Sequence, residues 1–218
     1  MNEERKKERK FLLLFADTTD SQLYGASWKG DALKVMSRLR NNPGLDVNWA
    51  DDEHQMSVLH IASYNHHTAV VKLLLAHPHI NVNQQDTYGR TPFSLACAGG
   101  HVSVIQLLLK DPRVDVTLSN NYEPTPLWHA CYHGKLEIVE SLIASCKDLG
   151  DFDTKKWQWW DGGDYNAIEV AGINDKGEIV SLLERFMANP TQTRHDVRVK
   201  LGVLDELAAE VFALTIFL

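Results

Sequence analysis

The sequence predicts an all-α solenoid, about five helix-turn-helix repeats with β-hairpin-like loops and capping helices at both ends. Three observations carry that prediction. The segments Ser57-Val58-Leu59-His60-Ile61-Ala62, Thr91-Pro92-Phe93-Ser94-Leu95-Ala96 and Thr125-Pro126-Leu127-Trp128-His129-Ala130 start 34 residues apart. Each is followed by a small-residue turn and a second apolar run: Val70-Val71 with Leu73-Leu74-Leu75, Val104-Ile105 with Leu107-Leu108-Leu109, and Ile138-Val139 with Leu142-Ile143. The composition is that of a globular chain, 218 residues with 44% hydrophobic and 23% charged, long enough for one large domain or an elongated array.

Each part of the repeat has a physical reason. Ser57, Thr91 and Thr125 are hydroxyl residues that cap a helix by accepting a backbone N–H. Pro92 and Pro126 stand at the first helical position, where the missing N–H costs nothing. Gly100 and Gly134 follow where a short helix ends in a left-handed residue. The second helix presents apolar residues at i, i+1, i+4 and i+5, a face too broad for one helix pair to bury. It ends in Asn42-Pro43, His77-Pro78 or Asp111-Pro112, and the extended Asp46-Val47-Asn48, Asn81-Val82-Asn83 and Asp115-Val116-Thr117 lead into hairpin tips such as Asp86-Thr87-Tyr88-Gly89-Arg90.

The pattern Asp86-x-x-Gly89-x-Thr91-Pro92-x-x-x-Ala96-x-x-x-Gly100-His101, followed by the leucine run and Asp115-Val116, resembles the ankyrin repeat. Proline with one added residue replaces the family's usual Gly-Ala before the extended segment, so the period is 34. Gln55 and His66 stand where the family has glycine, which predicts looser turns in that copy. Weaker copies flank the strong ones. Leu23-Tyr24-Gly25-Ala26 with Val35 and Leu39 reads as a first repeat, and Asn166-Ala167-Ile168 with Ile179-Val180 and Leu182-Leu183 as a fifth. The fifth starts 41 residues after Thr125, and the extra length carries Trp157, Trp159 and Trp160, which either form a knob or shield the widened gap between repeats.

The expected organisation is a capping helix over 1–19 and a repeat domain over 20–187, with repeats near 20–51, 52–85, 86–119, 120–160 and 161–187. A second capping helix is expected over 188–218, and its apolar end, Val211 to Leu218, reads as a chain cut from a longer one.

The resemblance implies binding through the hairpin tips and the ends of the first helices, a concave strip along the array. Transferred by position, that strip holds Tyr88, Arg90 and Tyr122 at the tips, with Trp28, Tyr64, Asn65, Tyr132 and His133 at helix ends and Tyr165 in the fifth repeat. The same positions collect a large share of the chain's six tyrosines and six tryptophans, the residues that dominate interface hot spots. The competing reading is that each ring covers its neighbouring helix.

Other chemistry is poorly supported. A net charge of −7 and a pI near 5.8 oppose unaided binding to a phosphate backbone. Neither terminal apolar run is long enough for a membrane span, and Glu3, Glu4 and Glu8 break up the basic Met1–Lys10 segment. Three scattered cysteines fit a reducing, cytoplasmic or nuclear compartment. The ten histidines lack ligand spacing to carboxylates or cysteines, so no metal or cofactor is expected. Cys131 beside His129 or His133 lacks a third orienting group for nucleophilic catalysis. The reading is therefore a non-catalytic, monomeric scaffold or adaptor for a protein partner, the alternative being the targeting or regulatory domain of a longer enzyme.

Overall fold

The computed structural model describes residues 19–118, 125–145, 147–150 and 165–203. The expected N-terminal capping helix, Tyr122, the Trp157–Trp160 insertion and everything beyond 203 lie outside the described residues. Those residues form eleven α-helices and no strand: α1 Thr19–Trp28, α2 Ala32–Asn41, α3 Val58–Tyr64, α4 Thr68–Leu75, α5 Pro92–Gly99, α6 Val102–Lys110, α7 Pro126–Tyr132, α8 Leu136–Ala144, α9 Ala167–Ile173, α10 Gly177–Ala188 and α11 Pro190–Leu201. They fall into two compact units, Met1–Pro126 and Leu127–Leu218.

Helix starts follow the caps. Ser57 and Thr91 sit in extended backbone, and their hydroxyls accept the N–H of His60 and Ser94, whose side chains in turn reach back to the cap nitrogen. Asn166 closes the same box with Glu169 at the start of α9. Helix ends follow the left-handed residues, with φ of 74° at Gly100 and 66° at Gly134.

The looser turn expected at His66 is not found, whereas the tip at Gln55 is one residue wider than its counterpart: the Gln55 N–H closes on the Asp51 carbonyl four residues back, the Gly89 N–H on the Asp86 carbonyl three back. Both residues adopt the left-handed conformation themselves, with φ of 55° and 60°. The closing bond of His67 N–H to the Ala62 carbonyl, at 2.9 Å, matches that of His101 to Ala96 at 3.0 Å. The turn is imposed by its hydrogen bonds, and the side chain accepts strain of roughly 1–2 kcal/mol relative to glycine.

In the first unit, α1, α3 and α5 pack side by side, as do α2, α4 and α6. Val70, Val71 and Leu74 of α4 and Val104, Ile105 and Leu108 of α6 are fully buried between neighbours. In α2 the matching positions hold Lys34, Val35 and Arg38, and Val35 is that helix's one buried residue. The first repeat thus carries charged residues where α4 and α6 bury apolar ones.

Polar tethers fix the spacing of the loops. The Asn48 amide donates to the His79 carbonyl at 2.8 Å while its oxygen accepts the Asn81 N–H at 2.7 Å. Asn83 repeats this with Arg113 and Asp115 at 2.8 and 2.9 Å. The tips are tight loops: only an isolated antiparallel bridge, Ala50 with Ser57, forms among the described residues. Asp51 and Asp86 organise them, each carboxylate accepting backbone N–H groups from its own loop.

In the second unit, α10 packs on α8 and α9, and α11 packs on α8 and α10. Arg194 and Arg198 of α11 donate to the Ile143 and Ala144 carbonyls at 2.9 and 2.8 Å, placing two cations at the C-terminal end of α8. Lys200 extends the row by pairing with the buried Glu140 carboxylate.

Two stability outcomes follow. Leu74→Ala leaves a cavity between α4 and its neighbours and is expected to cost about 2–5 kcal/mol in urea unfolding. Gln55→Gly relieves the left-handed strain and is expected to raise stability by about 1 kcal/mol in the same assay.

Candidate functional site

In the first two pairs the first helix ends in a ring that outruns the packing. Trp28 closes α1 and Tyr64 closes α3, with 39% and 53% of their surface exposed. Their backbone is held by the next repeat: the rings of His67 and His101 bond through Nε2 to the carbonyls of Trp28 and Tyr64, each at 2.9 Å. Gly30 permits the first of these contacts, since a Cβ there would stand 2.5 Å from the His67 ring. Asn65 is half-buried, and its amide donates to the Ile61 carbonyl at 3.0 Å, so it secures the helix end rather than offering that donor to a partner.

At the loop tips, Tyr88 is half-exposed and rigidly supported. The Arg90 guanidinium lies 4.7 Å from the centre of its ring. Arg90 is fixed in turn by two bonds of 2.8 Å from Nε and the terminal nitrogen to the buried Asp86 carboxylate. Its charge is therefore matched, and it serves as a brace rather than as an open cation. The neighbouring tip joins through the Thr87 N–H, which donates to the His54 carbonyl at 2.8 Å.

The expected residues of the second unit are less open. Tyr132 is half-buried and stacks on Trp128 with ring centres 5.4 Å apart, while His133 is exposed and meets the Tyr132 ring edge-on at 4.8 Å. Tyr165 is half-buried, and its carbonyl accepts the Trp128 indole N–H at 3.0 Å. In this unit the rings cover their own helices as well as facing outward.

Trp128 is a residue that sequence reasoning passed over, although a signal was present. It stands three residues after Thr125, as His60 stands three after Ser57. The buried His60 ring takes the Ser57 N–H on Nδ1 at 3.1 Å and bonds through Nε2 to the Arg90 carbonyl at 2.9 Å, so the proton belongs on Nε2. Trp128 makes the equivalent tether with an indole. Other histidine ring nitrogens are spent on carbonyls in the same way. Among the described residues, no group of three or more histidine, cysteine or acidic side chains is placed to hold a metal. Burial pushes the Cys131 thiol up to about 12, which keeps it protonated and a poor nucleophile at neutral pH. No described helix is long and apolar enough to cross a membrane.

Burial, and then the neighbouring His133, push His129 down to about 4. Burial lowers His60 and His133 as well. The His129 imidazole stays neutral in the folded chain while its unfolded counterpart takes up a proton below the ordinary value near 6.5. Stability is thus complete above that pH and is lost as the pH falls toward 4. Between pH 7.5 and 4.5, His129 alone is expected to cost about 2–3 kcal/mol. Urea unfolding of His129→Gln at both pH values should show a shallower fall than wild type.

A family model for ankyrin repeats in three copies matches residues 23–120, and a model for a single ankyrin repeat matches residues 124–153, together more than half of the chain. No curated protein matches it. The capped helix pairs, the left-handed turns, the Asp-organised tips and these two matches lead to one conclusion: the chain belongs to the ankyrin repeat family, with its all-α solenoid fold.

Proposed function

We propose that this chain is a non-catalytic scaffold or adaptor that holds a partner protein against its first-helix ends and loop tips. Ankyrin repeats generally mediate protein–protein interaction. The observation that carries the reading is the construction of Tyr88: a half-exposed ring braced by Arg90, which is pinned by a buried carboxylate. The pair also neutralises the buried Asp86 carboxylate, so one contact both closes the tip and sets the ring. A preorganised aromatic loses little entropy on binding, and Trp28 and Tyr64, held through their carbonyls, add two more such anchors. Tyr132, His133 and Tyr165 provide a further polar and aromatic surface in the second unit, with Asn65 supporting the end of α3. The compartment we assign is the cytoplasm, where buried thiols such as Cys97 and Cys131 remain reduced.

The test is affinity purification with mass spectrometry, using wild type and Tyr64→Ala/Tyr88→Ala as baits at matched melting temperature. Removal of two exposed rings should leave the fold intact and reduce recovery of the specific partner about tenfold or more. Identical recoveries from both baits would remove the assignment of these rings to the binding surface.

A further inference from the structure

A second surface, on the opposite helix row of the first unit, has features that stacking does not use. Leu33 and Met36 lie one turn apart on α2 and are 74% and 48% exposed. Arg40 continues their stripe one turn on, and Lys72 on the adjoining α4 stands at the position that Met36 holds in α2. The helices α2, α4 and α6 together carry Lys34, Arg38, Arg40, Lys72 and Lys110 and not one acidic residue. Lys34 is matched by Asp31 at 3.0 Å. Arg38, Arg40 and Lys72 have no carboxylate within ion-pair distance among the described residues.

Acidic side chains of this unit stand off these helices, as Asp51, Asp52, Glu53 and Asp86 at the tips and Asp31, Asp46, Asp111 and Asp115 in the segments that flank the second helices. Along the second helices themselves the charge is of one sign, with Arg38, Arg40 and Lys72 unmatched around two exposed apolar side chains, and the carboxylate at the start of α2, Asp31, is taken by Lys34. In a chain of net charge −7, a local patch of this sign is a selective feature.

We propose that the face centred on Leu33 and Met36, flanked by Arg40 and Lys72, docks an acidic segment of a partner protein that contributes apolar side chains to the two anchors. Charge complementarity selects this occupant: a carboxylate-bearing segment matches the free cations, and its apolar residues cover surface otherwise left in water. An anionic membrane is the weaker fit. Two apolar side chains and three free cations make a small footprint beside that of an interfacial amphipathic helix, and the net negative charge opposes approach. This surface is separate from the loop-tip site, so either can fail without the other.

The test is selection of a displayed random peptide library on the whole chain, followed by binding of the enriched synthetic peptides to three proteins: wild type, Arg40→Glu/Lys72→Glu and Tyr64→Ala/Tyr88→Ala. The expected result is enrichment of peptides carrying Asp or Glu with Leu, Met or Phe. These should lose about tenfold or more in affinity on the charge-reversed protein and be unaffected by the tyrosine variant. Should charge reversal lower the melting temperature, Arg40→Gln/Lys72→Gln gives the same reading with less perturbation. The proposal is overturned if no peptide is enriched, if the enriched peptides lack acidic residues, or if their binding follows Tyr64 and Tyr88. Flotation with phosphatidylserine-rich vesicles, if it depends on Arg40 and Lys72 while no acidic peptide binds, overturns it in favour of a lipid surface.

Discussion

A helix pair of this sequence has more apolar surface than it can cover by itself. Val70, Val71 and Leu74 on α4, and Val104, Ile105 and Leu108 on α6, point to both sides of their helices, and all six are fully buried. At about 25 cal/mol per Å² of apolar surface, leaving such a face in water would forfeit the stabilisation that short helices need, since seven- to nine-residue helices are marginal alone. Each pair therefore folds only with a neighbour in place. At α2, Lys34 and Arg38 stand where the later copies have valine and leucine.

Stacking alone would leave the units free to slide, because apolar contact has no direction. Part of the direction comes from a flat ring on the first helix, which in α3 and α7 stands three residues after Ser57 and Thr125. Tyr24 reaches the Asp51 carboxylate, His60 reaches the Arg90 carbonyl, and Trp128 reaches the Tyr165 carbonyl. Three different side chains do the same work, each presenting one donor at the end of a flat ring. Burial, with Asp51 beside it, pushes the Tyr24 hydroxyl up and keeps it a donor. Ser94 at the same offset is too short and spends its hydroxyl on the Thr91 carbonyl of its own turn.

The same contacts shape the proposed binding surface. A tip is a tight loop because an aspartate inside it collects the backbone N–H groups, and Asp86 then has an oxygen left to hold Arg90 under Tyr88. The helix ends are rigid because His67 and His101 hold their carbonyls from the next repeat. Interactions that order the array therefore also fix its exposed rings, and the tip and helix-end side chains can vary without disturbing the buried stripe.

The fold was legible in the residues because its signals are local or periodic: hydroxyl caps, glycines and prolines at helix ends, and an apolar pattern repeating every 34 residues. So was the placement of Trp28, Tyr64 and Tyr88 at positions that outrun the packing. Other features depend on partners distant in sequence. That Arg90 is a brace, that Asn65 secures its own helix, and that Tyr132 lies against Trp128 are decided by distances no spacing rule contains. The left-handed turns at Gln55 and His66 belong to the same class: hydrogen bonds closed by the surrounding packing override a side chain's local preference. The order of residues specified which surfaces must be buried and where helices begin and end. Tertiary packing assigned each remaining polar group its partner, because a donor's best acceptor is set by position in space.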